Sequence, residues 1–172
     1  VDYLCNNLTL AEDDEKGLEK SDKILNSRVV VAVRMGSGVD SLSALEGKNV
    51  GVVPKTRAAV ALDGKSSFKS KVTVVEQKDA AAALAALNDK KLDAIVVDET
   101  FVRNRTTEGA SIVMLDEELA SYDYCMLFRE ADGTLREKVN ALLGEMAADG
   151  TLTKLSIKWF GADITTIEAP KA

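Results

Sequence analysis

Short, wholly apolar runs alternating with helix-type segments constrain this chain more than any other feature. Val29-Val30-Val31-Ala32-Val33 is a continuous β-branched stretch, the pattern of a strand buried on both faces. Residues 49–53, Val72-Thr73-Val74-Val75, Ala94-Ile95-Val96-Val97 and Ile112-Val113-Met114-Leu115 repeat it at shorter length. Between these runs lie helix start signals. Ser41 precedes Leu42 and Leu45, Thr56 precedes 57–62, Asp79 precedes an alanine-rich stretch reaching Leu87, and 99–105 reads as a further short helix. Such alternation is the α/β signature and predicts a mainly parallel sheet covered by helices.

The pattern changes towards both ends. Residues 1–5 read as a strand, and the acidic, lysine-rich stretch 11–23 as a solvated loop or short helix. A strand is predicted over 122–128. Gly133-Thr134 then opens a helix with Leu135, Val139, Leu142, Leu143 and Met146 on one face. Asp149-Gly150-Thr151 ends that helix and begins another, whose Leu155, Trp159 and Phe160 are expected to pack into the core. Residues 165–172 read as a loosely ordered tail.

Composition removes several chemistries. The chain has 172 residues and no histidine, so a Ser-His or Cys-His nucleophile pair and a His-ligated zinc are excluded. With 22 Lys and Arg against 28 Asp and Glu, its net charge of −6 argues against nucleic acid, whose phosphates demand clustered cations. Asp13-Asp14-Glu15 lacks the alternating spacing of a calcium loop and reads as a solvated acidic face, so neither metal nor cofactor is predicted. Cys5 and Cys125 have no CxxC spacing and lie in apolar contexts. They read as buried reduced thiols, with a disulfide also open. The apolar run Ala80 to Leu87 is far short of the roughly 20 residues that span a bilayer.

Ligands of α/β sheets bind beyond the carboxyl ends of strands, near helix N-termini. Two places meet that description. In Val53-Pro54-Lys55-Thr56-Arg57 a strand end runs into a helix start, where backbone N–H groups, the Thr56 hydroxyl and the Arg57 guanidinium suit a carboxylate. Thr56 as a plain helix cap and Arg57 as a solvated cation fit the spacing equally. Asp98, directly after four apolar strand residues, suits an ammonium group or caps the helix that follows. Together they would clamp a zwitterion. Asn7 and Thr9 offer further amide and hydroxyl groups, or cap their own loop.

The order of motifs resembles family 3 of the bacterial extracellular solute-binding proteins, the polar-amino-acid binding components of ABC importers. Leu45-Glu46-Gly47-Lys48-Asn49-Val50-Gly51-Val52 is similar to a D-L-x-G-K-x-V-G-V signature, and Leu84 through Asp98 to a stretch ending G-x-x-D-A-V-x-x-D. Leu135 to Asn140, then Asp149-Gly150-Thr151 and Lys158-Trp159-Phe160-Gly161, resemble L-x-x-x-V-N, D-G-T and K-W-F-G. Residues 8–22 match a T-x-x-x-x-R segment leading to F-S, with Asp14 at the arginine and Lys20-Ser21 at F-S. The glycine usual before the threonine is Lys55, and the small residue after it is Arg57.

The resemblance implies a periplasmic-binding-protein-like α/β clamshell of two lobes with parallel-rich sheets. Residues 1–33 and 123–172 would form lobe one, incomplete for want of its N-terminal strands and helices, and 34–122 a complete lobe two. Carried over, Asp98 would hold a ligand ammonium, Thr56 and the helix start after it the carboxylate, and Asn7 and Thr9 would contribute from lobe one. Arg57 would supply the cation absent at Asp14. The implied role is non-enzymatic: capture of a small polar solute, an amino acid foremost, outside the cytoplasm, in the periplasm or lipid-anchored at the outer surface. Delivery to an ABC permease follows, with self-association through an exposed lobe-one edge also expected. A sensor domain of a membrane signalling protein is the alternative role of this fold, and a dehydratase a more remote one.

Overall fold

The computed structural model describes residues 3–4 and 17–169. In chain order the elements are β1 (Tyr3–Leu4), β2 (Leu18–Lys20), β3 (Leu25–Arg34), β4 (Asn49–Val52), α1 (Arg57–Gly64), α2 (Ser66–Lys69) and β5 (Thr73–Glu76). There follow α3 (Ala80–Asn88), β6 (Ala94–Asp98), α4 (Glu99–Thr107), β7 (Ile112–Tyr124), β8 (Leu127–Arg129), α5 (Gly133–Ala148) and α6 (Thr151–Phe160). They group into two compact units, a continuous one (Ser27–Tyr122) and a split one made of Val1–Asn26 with Asp123–Ala172.

The continuous unit is built on a sheet of order β5-β4-β6-β3-β7. β4 pairs in parallel with β5 and β6, whereas β3 runs antiparallel to β6, so the sheet is mixed rather than mainly parallel. The period-two alternation of β3 sends successive residues to opposite faces. Val29, Val31 and Val33 join Leu45, Val50, Leu62, Phe68 and Val96 on one side, and Val30 and Ala32 join Ala83, Leu87, Leu92, Ile95 and Val102 on the other. All five residues from Val29 to Val33 are fully buried. That burial places 27–33 in the continuous unit, whereas the sequence boundary of 33/34 assigned them to its neighbour.

Local chemistry explains most element ends. The Asp79 carboxylate accepts from Ala82 N–H and starts α3, and the Arg34 guanidinium donates to the carbonyls of Leu87 and Leu92 at its other end. Ser41 does not cap the short helix expected after it. A 3-10 turn spans Ser43–Leu45 behind Leu42, and the Ser41 hydroxyl bonds to Asp40 and Ser43 instead. β7 extends through Asp116-Glu117-Glu118, which the sequence reading left between two strands. Leu115 and Leu119 on the inward face hold that exposed charged stretch in the sheet. Gly51 allows close packing: a Cβ there would lie 2.5 Å from Leu92 Cδ1.

The split unit carries a small sheet of order β1-β8-β2, with β8 antiparallel to both neighbours. Leu18–Lys20 is thus a strand, not the loop or helix expected of 11–23. Phe128 is fully buried at its centre, with the Tyr3 ring 5.8 Å away. Ser21 is buried, its hydroxyl donating to Asp22 O and accepting from Met126 N–H, and Asn140 Oδ1 accepts from Asp22 N–H.

The two helices depart from expectation. Leu143 and Leu152 are buried, but Leu142, Leu155 and Trp159 are 56%, 43% and 52% exposed. Within α6 only Leu152 and Ser156 are buried, and the Ser156 hydroxyl donates to Ala162 O and accepts from Ile164 N–H. Trp159 is therefore a surface residue, with Lys158 Nζ 5.4 Å from its ring centroid. Thr165 bridges to Leu25 and Thr166 bonds to Ile24 and Lys23, so this part of the expected loose tail is tied down. Cys125 is half-buried rather than buried. Cys5 lies outside the described residues.

Candidate functional site

Two parallel strands side by side end at the same edge of a sheet. β4 and β6 pair with Val50 opposite Ala94 and Gly51 opposite Ile95. The segment leaving β4 and the last residue of β6, Asp98, therefore emerge next to one another on the continuous unit. The topology brings together Thr56, Arg57 and Asp98, three of the five residues singled out above. Asn7 and Thr9 lie outside the described residues, as do Asp13, Asp14 and Glu15.

Thr56 is the N-cap of α1, in extended backbone. Its hydroxyl donates to Val53 O at 2.7 Å and accepts from Ala59 N–H at 3.3 Å, which closes the turn between strand and helix. The hydroxyl is thus engaged within the turn, and an anion at the head of α1 would face backbone N–H groups there beside Arg57. Lys55 just ahead has a left-handed backbone, φ +61°, the reason a glycine suits this place. The Arg57 guanidinium stacks 5.0 Å from the Tyr122 ring centroid. Stacking on the ring fixes the plane in which its N–H groups lie.

Asp98 is half-buried at the N-cap position of α4, yet its side chain makes no capping hydrogen bond to that helix. The next residue is one the sequence reading passed over. Glu99 is only 6% exposed, and its carboxylate accepts from Arg28 Nε at 2.7 Å and Nη2 at 3.3 Å, and from Arg103 Nε at 2.7 Å. Arg103 Nη2 lies 2.7 Å from the same carboxylate, and Arg28 Nε 3.9 Å from Glu118. Burial alone would push the Glu99 carboxyl up. The hydrogen bonds and charges of the two arginines outweigh it and hold Glu99 below the ordinary glutamate range. Arg28 is raised, chiefly by its hydrogen bond to Glu99. Glu99 and Arg103 at i and i+4 were a sequence signal for one of these pairs. Arg28 gave none, since its partner is 71 positions away. Tyr122 was likewise read only as a strand residue.

Among the described residues no group of three or more acidic or thiol side chains is placed to hold a metal, and no helix is long and apolar enough to cross a membrane. What the edge offers is a helix head with a stacked guanidinium beside a carboxylate, chemistry for a small molecule carrying both charges.

A model of the bacterial extracellular solute-binding proteins, family 3, matches residues 1–162. The chain belongs to that family. Among curated solute-binding relatives, the L-cystine-binding protein TcyJ of Escherichia coli K12 is 25% identical over 171 residues, covering 96% of this chain and 62% of its own. The histidine-binding periplasmic protein of Escherichia coli K12 is 28% identical over 185 residues, covering 95% and 66%. The chain thus spans about two thirds of the length of the curated relatives it matches. Among solved structures, the probable amino-acid ABC transporter extracellular-binding protein YtmK of Bacillus subtilis aligns with a TM-score of 0.80 at 19% identity, over 94% of this chain and 72% of that one. Tv2483 bound to L-arginine aligns with a TM-score of 0.75 at 23% identity, over 99% and 70%. The periplasmic-binding-protein-like α/β fold is therefore this family member's fold.

Proposed function

We propose that this chain takes part in binding a small polar solute, an amino acid foremost, outside the cytoplasm for delivery to an ABC importer, and performs no catalysis. One observation carries the reading: the head of α1, with Arg57, and the carboxylate residue Asp98 stand at the ends of two paired parallel strands. An amino acid's carboxylate meets the N–H groups at the helix head and Arg57, and its ammonium meets Asp98. Family membership and relatives named for L-cystine and histidine binding support the choice of cargo. Asn7 and Thr9 are proposed as further contributors.

A thermal-shift screen of the twenty amino acids and cystine tests it. A ligand at a hundredfold excess over its dissociation constant stabilises the bound protein by about 2.7 kcal/mol. At least one amino acid should raise the melting temperature, and Asp98→Asn and Arg57→Ala should each remove most of that rise. An Asp98→Asn protein that responds like the wild type would remove Asp98 from the site, and a panel with no response would reject amino acids as the cargo.

A further inference from the structure

The outer side of α3 is built from residues too small to fill the space beside it. Ala83 and Leu87 turn inward to the core, so at the helical period Ala81, Ala82 and Ala85 face away from it. Ala81 and Ala85 are exposed accordingly. Beside them, on the continuous unit, lies a cleft of about 720 Å³ lined by these alanines, Ala86, Val75 and Leu92. Alanine adds little bulk, so another helix backbone can approach this wall closely. Among the described residues, no buried polar atom in want of a hydrogen bond lines the cleft. A largely apolar wall without such a group suits a packed surface better than a small polar ligand, which needs convergent polar contacts.

The charged residues of the cleft stand in two groups, one at each end of the helix. Lys78 and Asp79 lie at its start, with Lys78 Nζ 3.8 Å from Asp79 Oδ2. Asp89 and Lys91 lie just past its end, with Lys91 Nζ 3.1 Å from Asp89 Oδ2. The two lysines are 82% and 73% exposed, so these pairs hold the fold weakly and exchange partners at little cost. Each end of α3 thus carries one cation and one anion. A second α3 laid antiparallel along the cleft brings the start of one helix to the end of the other. There Lys78 meets Asp89 and Asp79 meets Lys91, and a two-fold axis repeats both contacts. The helix dipoles oppose one another in the same arrangement. A parallel copy would instead set Lys78 against Lys78 and Asp79 against Asp79. The cleft is therefore complementary in charge to its own two-fold image, which commits it to a second copy of this chain.

We propose that the α3 cleft is a self-association surface, on which two copies of the chain pair α3 against α3 in antiparallel, two-fold fashion. None of Thr56, Arg57 and Asp98 lines it. The nine residues of α3 make a helix only about 14 Å long, so the buried area falls below the roughly 1,200 Å² of stable complexes and the dimer is weak and concentration-dependent. Sedimentation equilibrium on the full chain tests this with wild type, Ala85→Arg, Lys78→Glu, Asp89→Lys and the double variant Lys78→Glu/Asp89→Lys. Arginine at the exposed Ala85 position keeps helix propensity but blocks close approach. Ala85→Arg should weaken the dimer at least roughly tenfold with the melting temperature unchanged. Each single charge reversal sets like charges against one another across the axis and should weaken it about fivefold, and the double variant should return to within about twofold of wild type. A wild type still monomeric at about 1 mM overturns the proposal. A dimer that Ala85→Arg leaves intact uses another surface, such as the lobe-one edge, and overturns it too. So does a double variant no tighter than the single ones. If Ala85→Arg lowers the melting temperature, the charge reversals, all at exposed side chains, decide the matter by themselves.

Discussion

The two units obey the same rules of packing but reach different results. In the continuous unit one strand, β3, is buried on both faces, and each face is closed by two helices with their apolar sides inward. In the split unit the strands are two or three residues long, and Leu142, Leu155, Ile157 and Trp159 lie open on α5 and α6. A run such as 29–33 demands cover on both sides, and its core partners, from Leu45 to Leu119, all come from the chain that directly follows. Among the described residues, α5 and α6 bury Leu143 and Leu152 and leave those four apolar side chains exposed. Burial, not hydrophobicity, should therefore separate the two units under mutation.

The largest expected difference comes from matched leucine truncations. Leu87 is fully buried between α3 and the sheet, so Leu87→Ala should cost about 2–5 kcal/mol through lost transfer energy and the cavity left behind. Leu155 is 43% exposed, and Leu155→Ala should cost no more than about 0.5 kcal/mol, the range of ordinary surface changes. Urea unfolding of both variants measures the contrast. A Leu155→Ala loss equal to that of Leu87→Ala would mean that α6 has a core role its exposure conceals.

Acid should sharpen the same comparison through Glu99. Its folded carboxyl titrates below the unfolded value, so its ionic stabilisation is present in full above about pH 4.5 and is lost as pH falls through the folded value. Glu99→Gln should destabilise the protein at pH 7 by about 1.5–3 kcal/mol, the worth of hydrogen bonds to a charged group. Melting curves from pH 7 to pH 3 should show the wild type converging on the variant as Glu99 protonates. The split unit also has lowered carboxylates: Asp123 through hydrogen bonds from Lys23 and Asn26, and Asp163 through those from Thr153 and Thr165. Both are on the surface, where solvent screens them, and Asp123→Asn should change the acid limb little.

Glycines give a smaller contrast of opposite sign. A methyl group at Gly51 meets the buried Leu92 at 2.5 Å, so Gly51→Ala should cost about 1–3 kcal/mol by overpacking. At Gly133, the first residue of α5, nothing lies within 4 Å of an added Cβ, and Gly133→Ala should stabilise by about 0.4–1 kcal/mol. Equal melting temperatures for the two variants would show that β4 can move away from Leu92.

The sequence carried the continuous unit well because its signals are local. Residue type alone gave the strand cores, the Thr56 and Asp79 caps and the position of Asp98 at a strand end. It failed where long-range partners decide. β2 pairs with a strand more than 100 positions away, and Asp116-Glu117-Glu118 stays in β7 because its inward neighbours are buried. In the split unit, motif residues prove to have tertiary or capping tasks that spacing does not reveal. Asn140 holds the backbone of Asp22, Asp149 accepts from Thr151 N–H, and Gly150 and Gly161 adopt left-handed backbone at helix ends. Of the site, the parallel pairing of β4 and β6 was legible in the α/β alternation. The engagement of the Thr56 hydroxyl and the Glu99 clamp were not, because each depends on atoms brought together only by the fold.

Lys55 separates what the family pattern wants from what this chain has. The turn between β4 and α1 needs a left-handed residue, and Lys55 takes it at φ +61°. A side chain in that conformation costs about 1–2 kcal/mol, against roughly 0.5–1 kcal/mol for the greater backbone freedom that glycine loses on folding. Lys55→Gly should therefore stabilise the continuous unit by about half a kcal/mol, the smallest effect predicted here, and remove one positive charge beside Arg57. If the lysine serves only as a tolerated substitute, amino-acid affinity will stay the same while the melting temperature rises. A fall in affinity, despite the more stable fold, would instead show that its charge helps to draw an anion to the head of α1, and that the strain is retained for that purpose.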